Sequence, residues 1–162
     1  DVTTGQPRWS FQTTHHDLWD YDIPSQPALL DMKNDAGTMV PAILVFTKRG
    51  QIFAFDRRDG TPITKIVEKP VTTQGSVPGN IVSPTQPYSV GMPTMAMEPL
   101  TEATSWGMTM FDQLMCRISF KQLRYDGEFT PPGRVWSLVT PSAMGGQNWG
   151  SASEEHADEA CQ

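Results

Sequence analysis

A mainly β fold, a meander of short antiparallel strands interrupted by one long insertion carrying a short helix, is what this sequence predicts. Three observations carry the prediction. Gly 13 and Pro 14 in 162 residues are too many for a helical protein and ordinary for a turn-rich β protein. The first two thirds consist of short β-prone runs separated by tight-turn signals. A turn frame also recurs after about 55 residues, as expected of successive blades of a propeller.

Taken in chain order, Pro7 to Thr13 (PRWSFQT) and Pro27 to Met32 are the first two β-prone runs. The clearest unit is MVPAILVFTKRGQIFAFDRRDGTPITKIV, residues 39–67, which reads as strand, Lys-Arg-Gly turn, strand, Arg-Asp-Gly turn, strand. Residues 68–105 hold many prolines and no sustained period, so they are expected to form a long ordered loop. In residues 108–124, apolar Met110, Phe111, Leu114, Met115, Ile118 and Leu123 recur at helical spacing, which predicts an amphipathic helix within the insertion. Gly133 to Thr140 is expected to be a further strand, and residues 153–162, SEEHADEACQ, an acidic disordered tail.

The recurring frame is D-x-x-(T/D)-G-x-x-x-(W/T), at Asp1–Thr4–Gly5–Trp9 and again at Asp56–Asp59–Gly60–Thr64. In such a turn the Asp bonds backbone donors, the Gly takes a left-handed conformation, and the residue four later packs outward from the next strand. A common hairpin turn has the same pattern.

A formal net charge of -6 without a Lys/Arg cluster leaves no footprint for a phosphate backbone, so nucleic acid is not an expected partner. No apolar run approaches the ~20 residues needed to span a bilayer. The start of the sequence also lacks a basic-then-apolar export signal. Cys116 and Cys161 stand far apart, outside any metal-binding spacing, and Cys116 in its apolar stretch reads as a buried free thiol.

The chemistry-bearing stretch is HHDLWDYD, residues 15–22. Adjacent histidines on an extended strand point to opposite faces, so His15 and His16 cannot easily share a metal ion. Asp17 and Asp22 read as carboxylates capping turn donors.

The frame Asp1 to Trp9 resembles the tryptophan-docking motif of the quinoprotein dehydrogenases, eight-bladed β-propeller enzymes that use pyrroloquinoline quinone (PQQ). The stretch WSFQTTHHDLWDYDIPSQPALLD that follows is similar to their active-site segment. KRGQIFAFDRRDG (48–60), SPTQPYS (83–89) and MTMFDQLMCRISFKQLRYDGEFTPPG (108–133) resemble the membrane-bound glucose, quinate and shikimate dehydrogenase branch. The resemblance covers residues 1–152. It implies part of an eight-bladed propeller: the end of one blade (1–13), one four-stranded blade (25–67), an insertion (68–132) with its helix near 108–124, and the start of the next blade (133–152).

Position by position, the resemblance implies Asp20 as the catalytic base and Lys48 as the cation beside PQQ, with His16 and Trp19 near the substrate. Each has a plainer alternative: Asp20 as a turn-capping carboxylate, Lys48 as an exposed turn lysine. Trp19 and Tyr21 would supply apolar walls that raise the basicity of Asp20. Trp106, Trp136 and Trp149 read as core or docking residues rather than platforms for the quinone.

The implied reaction is oxidation of a sugar or polyol hydroxyl, glucose to gluconolactone, with electrons passed to ubiquinone. Quinate or shikimate is the alternative substrate, and a non-catalytic propeller scaffold the alternative role. The resemblance also implies Ca or Mg on the cofactor, with ligands outside this sequence and no metal site within it. It places the enzyme at the periplasmic face of the bacterial inner membrane, anchored only through N-terminal spans not included here. The 162 residues alone are expected to be inactive.

Overall fold

A computed structural model describes residues 1–153. The acidic tail, beyond its first residue, lies outside the described residues. Over the described residues the chain is mainly β, with antiparallel sheets and one α-helix, as expected of part of a propeller.

Three strands, β1 (Ala28–Lys33), β2 (Met39–Phe46) and β3 (Ile52–Asp56), form an antiparallel meander in that order. β2 carries apolar residues on both faces, and β3 is buried at every position. The pleat of β3 sends Phe53 and Phe55 to one side, where they pack with Val45, Ile43 and Trp9, and Ala54 to the other, where it meets Val40, Ala42 and Ile63. Both faces of this sheet are therefore covered, which is why residues 39–56 read as apolar runs rather than a strict alternation.

Beyond Asp56 the meander continues only as an isolated Phe55–Pro62 bridge. A fourth strand does not join it. Instead β4 (Ile66–Pro70) pairs with β5 (Thr85–Ser89) in a separate two-stranded sheet. β5 falls inside the segment expected to be loop. Its prolines disguised it, since Pro87 cannot donate to a ladder. The strand is held partly by side chains: Gln86 donates from Nε2 to the His15 carbonyl (2.8 Å) and accepts from the His15 N–H (2.7 Å).

The two turn frames fold alike. Gly5 N–H donates to the Asp1 carbonyl and Gly60 N–H to the Asp56 carbonyl, both at 2.8 Å. Both glycines are left-handed, at φ 68° and 78°. Trp9, the last residue of the first frame, lies on the second turn. Its indole Nε1 donates to the Arg57 carbonyl (3.2 Å), and a Cβ at Gly60 would come within 2.6 Å of the ring. Residues 7–13 form no strand. They are fastened by Trp9 on Phe55 and by Phe11 on Phe53 and Phe55.

The predicted helix is present as α1 (Met110–Gln122), started by a Thr109–Asp112 capping box. Its packing differs from expectation: Met110, Phe111, Leu114, Met115 and Ile118 are all exposed. Cys116 is an exposed free thiol, not a buried one. The ties of α1 to the rest of the chain are mainly polar, with Arg117 and Lys121 both paired to Glu102 at 2.9 and 3.0 Å. Residues 133–140 form only an isolated bridge, Arg124–Ser137, because no described strand runs alongside to take up a ladder. Trp106, Trp136 and Trp149 are exposed, so none of them belongs to the core of the described residues. No helix among the described residues is long and apolar enough to cross a membrane.

Candidate active site

The stretch Asp17–Asp22 is folded by its first carboxylate. Asp17 Oδ1 accepts from the Trp19 N–H (2.8 Å) and Oδ2 from the Tyr21 N–H (2.7 Å). Between those two donors Asp20 sits at φ 66°. A left-handed non-glycine residue costs on the order of 1–2 kcal/mol. Two hydrogen bonds to a charged acceptor, each about 1.5 kcal/mol or more, outweigh that cost, and Asp is among the residues that tolerate this conformation.

Trp19 and Tyr21 are buried on the same side. Their rings meet Phe129 edge-on at 5.1 and 5.9 Å, and the Trp19 indole N–H donates to the Thr130 carbonyl (2.7 Å). The Tyr21 hydroxyl lies 2.8 Å from the Thr140 carbonyl oxygen and 3.1 Å from that of Glu128. Burial pushes the phenol well above its ordinary pKa, so Tyr21 stays protonated as a donor. Asp20 and Asp22, both exposed, stand together on the opposite, open face.

That face meets Lys48, in the turn joining β2 to β3. Lys48 Nζ lies 2.9 Å from Asp20 Oδ2 and also contacts Asp22 Oδ1. The lysine side chain is only 8% exposed, whereas those of Asp20 and Asp22 are 66% and 56% exposed. A concealed cation thus underlies two carboxylates open to solvent. The lysine backbone is fixed by Gly146, whose N–H donates to the Lys48 carbonyl (2.6 Å). Gly145 packs so closely that an added Cβ would fall 2.7 Å from Lys48 Cβ. Hydrogen bonds donated by the ammonium to Asp22 first and Asp20 second raise its pKa above the ordinary value.

The structure brings Asp20 and Lys48 together across 28 residues of chain. It does not wall Asp20 with the aromatic rings: Trp19 and Tyr21 support the segment from beneath, and the carboxylate stands in the open. Asp22, expected to cap the turn, pairs with Lys48 instead. Asp17 does the capping alone. His16 is exposed, at φ 44°, and lines a shallow cavity of about 410 Å³ with Gln12, His15, Asp17 and Ser83. His15, on the same cavity, is held by Glu68, its Nε2 3.0 Å from Oε1.

Arg49, which nothing in the sequence singled out, is the hub beneath the site. It is fully buried, with its guanidinium 4.7 Å from the Tyr88 ring centre and 4.5 Å from that of Phe129. Nε donates to Glu128 Oε1 (2.7 Å), and Nη1 to the carbonyls of Thr13 (3.0 Å) and Pro87 (2.9 Å). Tyr88 adds its hydroxyl to Glu128 Oε2 (3.0 Å). One side chain therefore ties the chain at Thr13, β5 and the 125–130 loop to the turn that carries Lys48.

Over residues 1–161 the chain matches the family model described as "PQQ: Glucose/ethanol/alcohol dehydrogenase, beta-propeller domain". It is 52% identical over 155 residues to the glycerol dehydrogenase large subunit of Gluconobacter oxydans, covering 94% of this chain and 21% of that protein. It is 50% identical to quinoprotein glucose dehydrogenase A of Acinetobacter calcoaceticus (94% and 20%), and 49% identical to the quinate/shikimate dehydrogenase (quinone) of Acinetobacter baylyi (93% and 18%). The chain spans about a fifth of the length of these relatives. No solved structure matches it.

Proposed function

The chain belongs to the PQQ-dependent dehydrogenase β-propeller family, and we propose that its residues carry the proton-accepting side of the catalytic centre in a longer quinoprotein dehydrogenase. The observation that supports this most is the Asp20–Lys48 pair, 2.9 Å apart, with the carboxylate open and the cation concealed.

Oxidising a carbinol requires a base for the hydroxyl proton and an acceptor for the hydride. Asp20 is the base: it is accessible, and its backbone is held by the Asp17 bonds on either side. Lys48 is the fixed cation. An ammonium has three N–H donors, and two of those on Lys48 point to carboxylates, which leaves one for a carbonyl or anionic oxygen. That donor set fits a quinone. PQQ, when bound, would supply the two-electron acceptor for the carbinol's hydride, and Asp20 would take the hydroxyl proton. A pre-placed positive charge favours charge developing on an oxygen beside it, and this is the part assigned to Lys48. His16, in its open cavity, stands where a polar substrate could meet it. A Ca or Mg ion on the cofactor would draw its ligands from outside this chain.

The substrate is a small polyhydroxylated molecule, glucose in the first reading. Relatives named for glycerol, glucose and quinate or shikimate lie between 49% and 52% identity, so quinate or shikimate is supported equally. Ubiquinone as the electron acceptor, and a periplasm-facing location, complete the proposal. A scaffold propeller would have no use for a base and a concealed cation in contact.

The experiment is Asp20→Asn in the full-length dehydrogenase. Turnover is expected to fall by at least about a thousandfold, several kcal/mol of barrier, while PQQ still binds, as read from its absorbance. Near-native turnover in that variant would overturn the assignment of the base.

A further inference from the structure

Lys48 is shared. Its ammonium touches two carboxylates, and the assignment of Asp20 as base uses only one of them. The second, Asp22, cannot be dismissed as a neighbour within reach. It reaches Lys48 because Trp19 and Tyr21 are both locked onto Phe129, which turns the residues between and after them to the same side. We propose that Asp22 is a positioning residue: it holds the Lys48 ammonium in place independently of Asp20, so that Asp20 can leave the ion pair and act as a base without stranding the cation.

The need for such a residue follows from the geometry, and the inference rests on the reading of Asp20 given above. A carboxylate paired to an ammonium is a poorer base than a free one, because the opposite charge favours its ionised form. To take a proton, Asp20 must loosen from Lys48. A lysine whose side chain is 8% exposed and whose only counter-ion has departed would face a desolvation cost on its charged form. It would either follow Asp20 or give up its proton. With Asp22 present neither occurs, since among the described residues Asp20 and Asp22 are the acidic groups in salt-bridge contact with Lys48. Gly145 and Gly146 close the other side with backbone alone. The raised ammonium pKa, with Asp22 as its largest cause, agrees with this division.

The sign can be tested chemically. A lysine raised above its ordinary 10.5 holds less neutral amine at any given pH than a free lysine, and only neutral amine reacts with formaldehyde and cyanoborohydride. In the full-length protein at pH 8.5, methylation of Lys48, followed by peptide mass spectrometry, is expected to be several-fold faster in Asp22→Asn than in the unsubstituted protein. The increase is expected to be larger than in Asp20→Asn. Asp22→Glu, which keeps the charge, is expected to stay within about twofold of the unsubstituted rate. Turnover of Asp22→Asn is expected to fall about tenfold, with KM for substrate nearly unchanged.

Unchanged Lys48 methylation in Asp22→Asn, or full acceleration in Asp20→Asn alone, would overturn the proposal. The same holds if Asp22→Glu behaves like Asp22→Asn. The labelling needs no turnover, so this outcome is separate from the fate of the catalytic reading: should Asp20→Asn remain active, the base assignment falls whatever Lys48 methylation shows.

Discussion

The support beneath Asp20 and the helix α1 are both rich in large apolar residues, yet they are built on opposite principles. Under Asp20, Trp19, Tyr21 and Phe129 are buried and the polar edges of the two ring systems are used, the indole on Thr130 and the phenol on Thr140, with Arg49 threaded between Tyr88 and Phe129 to reach Glu128. On α1, the side chains of Phe111, Leu114 and Met115 face outward, and the element is fastened through Glu102 by two ion pairs on the surface. Exposed pairs of that kind contribute about 0–1 kcal/mol, whereas a buried ion pair with satisfied hydrogen bonds cannot be broken cheaply. The comparison shows which apolar residues the fold depends on: those whose polar neighbours are also buried and paired.

Arg49→Met should break the first region. It removes the partner of a largely buried Glu128 carboxylate and leaves the Thr13 and Pro87 carbonyls without their donor, a loss of about 3–5 kcal/mol. Chemical denaturation of the protein measures it, and a loss below about 1 kcal/mol would mean that the hub is replaceable. The second region should scarcely respond. Leu114→Gln on α1 is expected to change stability by no more than about 0.5 kcal/mol, since the side chain is exposed already. A loss above about 2 kcal/mol in the same measurement would show that α1 is held by its apolar side after all.

The same contrast explains what could be read from the sequence. The period of α1 and its Thr109–Asp112 cap are local properties, so the helix was legible. Which way its apolar stripe faces was not, because that depends on what lies opposite. Asp20 and Lys48 were legible through the family resemblance. Asp22 was assigned to the turn; that it shares Lys48 with Asp20 depends on the left-handed Asp20 and the Asp17 cap, which residue order alone does not give. Arg49 could not be found at all: its partners come from residues 13, 87 and 128, and next to Lys48 in a Lys-Arg-Gly turn it looks like an ordinary exposed cation. β5 was hidden by its prolines, and the strand expected at 133–140 failed for want of a neighbour. Trp106, Trp136 and Trp149 stand outside the core of the described residues for a related reason, since large aromatic residues are buried only where a surface is there to meet them.

The claim on which the rest depends is that Asp20 and Lys48, 28 residues apart, act as one unit. A double-mutant cycle on turnover in the full-length dehydrogenase tests it directly, comparing Asp20→Asn, Lys48→Met and the double variant. If the pair is one unit, the second substitution has little left to remove, and the double variant should be no more than about threefold slower than Asp20→Asn alone. Losses that multiply, each substitution costing the same factor whether or not the other is present, would show that the two residues act separately and would contradict the account.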